Sequence, residues 1–437
     1  MRLNRICFSL TIIVLFGPIF RGQTAQRVPP TKGQADKKVN LHFEQAEKLS
    51  QTKQYWQAIS EYKLAIQEDP QNEAFFFGLA LTQSQVGQNS QAIEAYQAAL
   101  QINPGLWEAE VNLGIVLLHQ QSVSEALLHF KKAQSINPRD FRTNYYTGKA
   151  QELLEKLGEA EANYLVALEL AREDPDKCEI HTSLGSLYLK KKAWAEAEKH
   201  LLTARQYQGD AASVDLDLAQ LYYETGQSKK ALELLRSANK SNDPEMAELM
   251  GRILVEQKDY EAAIKSFDLA LKYQADPGRR QKLSLDLAQL YHELGRTEVA
   301  VLLLRDVAKS SQDPKVHFNL GSLYLHQHEL ALAKQEFLKA LQLKPDYVEC
   351  YSNLASVFLL QEKYPEAIGS LNQFKNFRPE TAGTYFYLGI AFDKLNDYEN
   401  AWSNYQKFLE LDQGKTDKQG FQAKERMKVL EKKIKRR

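Results

Sequence analysis

Eleven alanines recur along the chain at one spacing: Ala58, Ala92, Ala126, Ala160, Ala197, Ala231, Ala263, Ala300, Ala333, Ala367 and Ala401. The gaps between them are 34, 34, 34, 37, 34, 32, 37, 33, 34 and 34 residues. Twelve residues before each stands a second small residue: Ala46, Ala80, Gly114, Gly148, Gly185, Ala219, Gly251, Ala288, Gly321, Ala355 and Gly389. Two columns locked in step over eleven units mark an internal repeat, and a period near 34 residues is that of stacked helical hairpins. One such hairpin buries too little apolar surface to fold alone, so each must stack on its neighbours. A chain of 437 residues would otherwise suggest about three ordinary domains. The repeat overrides that expectation, because an array has no single centre.

Each unit holds two amphipathic stretches. In 107–140 the first runs through WEAEVNLGIVLLHQQ and the second through SVSEALLHFKKAQSI. Asn137-Pro138 then stops the helix, since proline cannot continue a helix interior. Asp69-Pro70, Asn103-Pro104 and Lys344-Pro345 punctuate other repeats in the same way. Gly87, Gly158, Gly226 and Gly295 read as the turns between paired helices. The two small-residue columns let the paired helices approach closely, and a larger side chain there would overpack the contact at a cost of roughly 1–3 kcal/mol.

The pattern resembles the tetratricopeptide repeat (TPR) family, whose signature places Leu-Gly at repeat positions 7 and 8, an aromatic at 11, Ala at 20, an aromatic at 24, Ala at 27 and Pro at 32. Leu184-Gly185 with Tyr188, Leu320-Gly321 with Tyr324 and Leu388-Gly389 with Phe392 match the first part. Position 24 reads Tyr62, Tyr96, Phe130, Tyr164, Phe267, Phe337 and Tyr405, with Leu in the other repeats. The resemblance covers about 39–415 and implies an all-α, right-handed superhelical solenoid of about eleven helical hairpins. Departures are local. Val307, Phe374 and Phe408 replace the usual alanine at position 27, and extra residues lie near 173–176 and 277–280. The stretch 416–437 reads as a basic capping helix, because Ala423, Met427, Leu430 and Ile434 follow helical spacing and would cover the open end of the last repeat.

Charge narrows the partners. Residues 1–38 carry seven basic side chains and one acidic, and 415–437 carry ten and three; 39–414 holds 39 basic and 52 acidic. The array is acidic between basic ends, which argues against a nucleic-acid groove, since phosphates need clustered Lys and Arg. The basic C-terminus reads as a solvated outer face, with peripheral contact to anionic lipid as the alternative. Residues 1–25 read as an export signal, with Arg2 and Arg5 followed by an apolar run from Ile6 to Phe20. That run is short for a membrane span, which needs roughly 20 residues; an uncleaved anchor is the alternative. Residues 26–38 read as a flexible linker. The expectation is an exported protein, periplasmic or secreted. Cys178 and Cys350 stand five repeats apart, so in a single array they do not pair.

No catalytic signature stands out: there is no HExxH, GxSxG, paired CxxC or GxGxxG. Gly414-Lys415-Thr416 imitates the end of a phosphate loop, but Leu409 stands where that loop needs glycine. His292 and His326 could approach each other across adjacent repeats, without the carboxylate or thiolate support of a metal site. Asp215 and Asp217 read as surface charge. The expectation is a scaffold without enzymatic activity, cofactor or metal, serving cell-envelope assembly. The alternative is a noncatalytic regulatory partner of a membrane-bound envelope-polymer synthase or transferase.

The resemblance implies a concave wall built by the first helix of each repeat, at positions 2, 5, 6, 9 and 12. Mapped here, the candidate binding residues are Phe43, Phe77, Leu81, Val111, Asn112, Ile115 and Tyr145 in the N-terminal part, and Phe318, Asn319, Asn353 and Phe386 in the C-terminal part. The middle is polar, with Ser186, Asp217, Gln220, Glu248 and Arg252. Asparagines at position 6 suit an extended peptide, since an amide both donates and accepts. The apolar N-terminal part suits an amphipathic helix or apolar segment. The partner expected is a protein or peptide.

Overall fold

The structure, a computed structural model, describes residues 41–207, 211–238, 242–379, 381–414 and 416–435. The signal expected over 1–25 and the linker over 26–38 lie outside the described residues. Among those described there are twenty-three α-helices and no strand. They fall into two compact units, Met1–Ser241 and Asn242–Arg437.

The first unit holds six hairpins: α1 (Leu41–Gln51) with α2 (Tyr55–Glu68), α3 (Glu73–Gln85) with α4 (Asn89–Ile102), α5 (Trp107–His119) with α6 (Val123–Ile136), α7 (Phe141–Leu153) with α8 (Leu157–Leu170), α9 (Asp174–Lys190) with α10 (Trp194–Ala204), and α11 (Ala211–Glu224) with α12 (Ser228–Ser237). The second holds five: α13 (Pro244–Glu256) with α14 (Tyr260–Tyr273), α15 (Pro277–Glu293) with α16 (Thr297–Ala308), α17 (Pro314–His326) with α18 (Leu330–Leu343), α19 (Val348–Leu360) with α20 (Tyr364–Phe377), and α21 (Ala382–Lys394) with α22 (Tyr398–Asp412). A last helix, α23 (Asp417–Ile434), packs on α22. Hairpins are numbered 1 to 11 in this order, and the first helix of each is its A helix, the second its B helix.

The small residues at position 8 do what the repeat columns require. A Cβ added to Gly114 would stand 2.5 Å from the Phe130 ring, one on Gly251 2.6 Å from Phe267, and one on Gly321 2.9 Å from Phe337. Position 24 of the B helix therefore fills the space that position 8 of its own A helix leaves open. The same ring also reaches the next hairpin, since a Cβ on Gly78 would meet Tyr62 at 2.5 Å. The alanines at position 20 are fully buried.

Every hairpin turns through one left-handed residue at position 15. In the first unit these are Lys53, Gly87, Gln121, Glu155, Lys192 and Gly226; in the second, Lys258, Gly295, His328, Glu362 and Asn396. The following amide reaches back to the carbonyl of position 11, from Ser122 to Leu117 at 3.0 Å and from Ala193 to Tyr188 at 2.9 Å. This is the Schellman closure of a helix C-terminus. Gly158 is not a turn residue: it lies in the first turn of α8, and Glu155 makes that turn. The closure bonds hold position 15 left-handed whichever side chain it carries.

The extra residues have a single structural expression. Helices α9 and α15 are 17 residues long, against 13 for α5, and each gains its additional turn at its N-terminus. Pro175 and Pro277 sit in those first turns, where proline costs no hydrogen bond. Asp276 caps α15 by accepting from the Arg279 amide at 2.6 Å.

Helix α23 is the cap expected from its spacing. Ala423 and Leu430 are fully buried with Phe386, Tyr405 and Phe408, and Met427 packs beside them. Phe408, which replaces the usual alanine, lies 5.1 Å from Phe386, tilted against its ring, under this cap. Gly414 and Thr416 belong to the turn into α23: Gly414 is left-handed, and the Thr416 hydroxyl donates to Asp412 at 2.7 Å.

Candidate functional site

Helical geometry separates the A-helix positions into two groups. Position 5 leans against the position-24 ring of its own hairpin. Phe43 meets Tyr62 edge-on at 5.9 Å and Phe75 at 4.8 Å, and Phe77 meets Tyr96 at 5.9 Å. Phe318 lies 5.9 Å from Phe337 and 4.9 Å from Tyr347. Three position-5 side chains are largely covered: Val111 is 1% exposed, Tyr145 4% and Phe386 5%, the last keeping only the edge that borders a recess beside α23. Their side chains are packing groups in this conformation.

Positions 6 and 9 face outward. In the first unit Leu81, Asn112 and Ile115 are half-buried, on A helices α3 and α5 of neighbouring hairpins. The Asn112 amide makes no side-chain hydrogen bond among the described residues, so its donor and acceptor both remain available. In the second unit Asn319 is half-buried and likewise uncommitted. Asn353 differs: its amide donates to the Ser322 hydroxyl at 3.3 Å, and that hydroxyl donates to the Phe318 carbonyl at 2.9 Å. The two consecutive asparagines are thus not equivalent.

Between hairpins 4 and 5 the A-helix face becomes polar. The Tyr145 hydroxyl donates to Glu179 at 2.8 Å and lies 3.2 Å from the Ser183 hydroxyl. The Lys149 ammonium donates to the same hydroxyl at 3.4 Å and sits 5.6 Å from the ring centroid. Burial, then the Glu179 charge, pushes the Tyr145 phenol well above its usual range, so it stays a neutral donor. Beside it, burial together with Glu173 and Glu179 pushes the Asp176 carboxyl up to about 6, against the pull of Arg142. Arg142, Lys149 and Glu179 occupy positions 2 and 9, so the repeat register could have pointed to them, but they are not among the candidates named from the sequence.

In the second unit Glu248 accepts from Arg252 one turn away. Asp286 on the next A helix is exposed, yet desolvation raises its carboxyl, with Arg252 and Lys282 pulling it back.

A second constellation has a signal in the sequence that composition hides: polar pairs nineteen residues apart. Position 4 of an A helix faces position 23 of its B helix. His42 Nδ1 meets Glu61 at 2.6 Å, His129 Nδ1 meets Glu110 at 2.5 Å, and His317 Nδ1 meets Glu336 at 2.7 Å. In hairpin 5 the pair is two imidazoles, His181 and His200, with Nδ1 atoms 2.9 Å apart. In hairpin 4 the corresponding pair, Asn144 and Asn163, is bridged by Gln134 from α6 of hairpin 3, which donates to both at 2.8 and 2.9 Å. These are clasps between paired helices.

The remaining titratable groups resolve as follows. Asp215 is buried rather than surface charge, and Arg205 Nε pairs with it at 3.1 Å; Asp217 accepts from the Ser186 hydroxyl. His292 and His326 do approach, with ring centroids 4.7 Å apart and edge-to-face. Among the described residues no three His, Cys, Asp or Glu side chains converge as a metal site. Cys178 and Cys350 are both buried; the Cys178 thiol donates to the Ala204 carbonyl at 3.4 Å, and burial pushes the Cys350 thiol up to about 12. No helix among the described residues is long and apolar enough to cross a membrane.

Comparison with known proteins gives four family matches. Tetratricopeptide repeat models match 77–141, 254–323 and 314–347, and the model for anaphase-promoting complex, cyclosome, subunit 3 matches 197–270. A BBSome complex member BBS4 homolog of Drosophila melanogaster is 23% identical over 302 residues, covering 66% of this chain and 61% of that protein. The human protein O-mannosyl-transferase TMTC3 is 25% identical over 339 residues, covering 70% of this chain and 35% of that protein. The chain thus spans between about a third and two thirds of these relatives' own length. A crystal structure of a tetratricopeptide repeat protein from Parabacteroides merdae aligns at a TM-score of 0.47 and 17% identity, over 55% of this chain and 95% of that one.

Proposed function

The chain is a tetratricopeptide-repeat protein, and from that premise we propose that it is a noncatalytic scaffold that takes a protein or peptide partner on the A-helix faces of its hairpins. One observation carries the reading. Leu81 and Ile115 leave apolar surface at position 9 of adjacent hairpins, with the uncommitted Asn112 amide between them in sequence. An apolar patch flanked by a free donor and acceptor suits a segment that buries side chains and engages its backbone. The name of one relative places it in a complex, which agrees with a scaffold role.

The finer part of the proposal puts the scaffold outside the cytoplasm, in cell-envelope assembly. It rests on the basic start at Arg2 and Arg5 and the apolar run from Ile6 to Phe20. A second reading draws on the relative named as a transferase: the chain would be the noncatalytic regulatory partner of a membrane-bound synthase or transferase.

Photo-crosslinking from positions 81 and 112 in the full chain tests the first claim. The partner should crosslink there, and Leu81→Ser with Ile115→Ser should abolish its capture while circular dichroism stays unchanged. Undiminished capture by that double variant would sink the A-helix reading. Capture of a membrane-bound polymerising enzyme would favour the second reading over general assembly. A reporter active only outside the cytoplasm, fused to residues 1–25, tests export directly.

A further inference from the structure

A terminal cap ought to turn a polar outer face to water. Helix α23 does not. Phe421 is 67% exposed and Val429 42%, two turns apart on one side of the helix. Both line a recess of about 470 Å³ whose other walls include Phe386, Ile390, Tyr405 and Arg426. Phe386 and Ile390 are positions 5 and 9 of the last A helix, so α23 extends the A-helix face of hairpin 11.

The charges around this recess are unequal. Residues 416–435 carry seven basic and three acidic side chains. Glu425 is held by Lys428 at 2.7 Å and Glu431 by Lys435 at 2.8 Å. Arg426 is fixed on Asp393, with Nη2 at 2.8 Å. Lys418 and Lys432 lie one turn outside Phe421 and Val429, and Lys394 borders Ile390. None of these three lysines has an acidic partner among the described residues. Apolar walls with unanswered positive charge call for an occupant of opposite pattern.

We propose that this recess receives an apolar side chain of an acidic peptide segment, whose carboxylates answer Lys394, Lys418 and Lys432. The proposal rests on the scaffold reading above and names the chemistry of one partner segment. A flat anionic bilayer fits less well, because the recess is lined from three helices, α21, α22 and α23, and its wall residues Phe386 and Tyr405 are buried.

Selection of a random twelve-residue peptide library on the full chain, followed by fluorescence anisotropy of the enriched peptides, tests it. The peptides should combine acidic with large apolar residues. Phe421→Ser with Val429→Ser, both exposed sites, should weaken them about tenfold. Lys418→Glu with Lys432→Glu should weaken them by a similar factor, and Leu81→Ser with Ile115→Ser should not. Circular dichroism checks that each variant is folded. Peptides weakened only by the Leu81 and Ile115 variant overturn the recess proposal and leave the scaffold reading intact. Peptides indifferent to all three variants, or no enrichment at all, overturn both. Binding to phosphatidylglycerol vesicles through Phe421, with no peptide bound, overturns the proposal in favour of lipid.

Discussion

Hairpins 3 and 5 are built on one plan and clasped by different chemistry. Both place glycine at the close contact, Gly114 against Phe130 and Gly185 against Leu201. Both turn through a left-handed, non-glycine residue, Gln121 and Lys192. Yet Glu110 and His129 join α5 to α6, whereas two imidazoles join α9 to α10. Two imidazoles can share one proton but repel when each carries its own. Close packing and turn geometry thus set the hairpin, and the clasp is free to vary and to give each hairpin its own response to pH.

The largest effects should come from breaking what the two hairpins share. Gly114→Ala forces a Cβ to 2.5 Å from a rigid, fully buried ring, so helix backbone must move. The expected loss is about 2 kcal/mol. Gly185→Ala meets Leu201, which has more torsional freedom than a ring, and should cost about 1 kcal/mol. Ala126→Leu belongs with the first, whereas Lys131→Ala, at an exposed position, should be nearly silent. Gly369→Ala is the control, since nothing stands within 4 Å of its added Cβ. It lies inside α20 and should gain up to about 1 kcal/mol of helix stability. Urea unfolding reads all five, and a Gly114→Ala midpoint at or above wild type would break the packing argument.

What was legible in the sequence follows from the same contrast. Close contacts demand small residues, and small residues are visible, so the repeat, its register and the capping role of α23 could be read directly. A left-handed turn is not written in residue type when closure bonds impose it. That is why Gly158 looked like a turn and Glu155 did not. Groove positions taken from the family's register named Val111, Tyr145 and Phe386 without showing that rings on the B helices and neighbouring hairpins cover position 5. The outward positions Leu81, Asn112, Ile115 and Asn319 came from the same register. Asp215 read as surface charge because its partner, Arg205, sits at the end of the preceding helix pair. The clasps escaped because a histidine taken singly does not show its partner; only the nineteen-residue spacing between positions 4 and 23 does.

The next effect should separate the two hairpins. Burial, with His200 and Lys199 nearby, holds the His181 imidazole at about 4 rather than 6.5. Burial and Lys199 lower His200 as well, against Glu161, which is itself tied to Tyr188 and Lys191. The folded state therefore binds fewer protons than the unfolded chain. The contribution of this clasp is complete above pH 6.5 and is lost as pH falls from 6.5 towards about 4. The rings are only half-buried, so solvent screening reduces the expected loss to about 1 kcal/mol. Hydrogen exchange, corrected for intrinsic rates, should show α9 and α10 losing protection between pH 7 and pH 5 while α5 and α6 keep theirs. His200→Glu should make hairpin 5 behave like hairpin 3. Equal protection of both hairpins at pH 5 would show that the imidazole pair is not the acid-sensitive element.

The smallest effect should be the one that treats both hairpins alike. Gln121 has φ near +62° and Lys192 near +56°, so each holds a Cβ in the left-handed region. That strain is worth roughly 1–2 kcal/mol for a non-glycine residue. Replacement by glycine removes it but gives the unfolded chain more freedom to lose, which offsets roughly 0.5–1 kcal/mol. Gln121→Gly and Lys192→Gly should therefore each stabilise by about 0.5 kcal/mol, with the same change in urea midpoint. Gly226→Ala, at the same position in hairpin 6, should cost roughly what the strain term supplies. Equal gains would show that the closure is one device used by both hairpins. A gain in hairpin 3 and none in hairpin 5 would mean that the longer α9, whose additional turn lies at the opposite end of the helix, nevertheless reshapes its closure. In that case turn and clasp would no longer be separable features of the repeat.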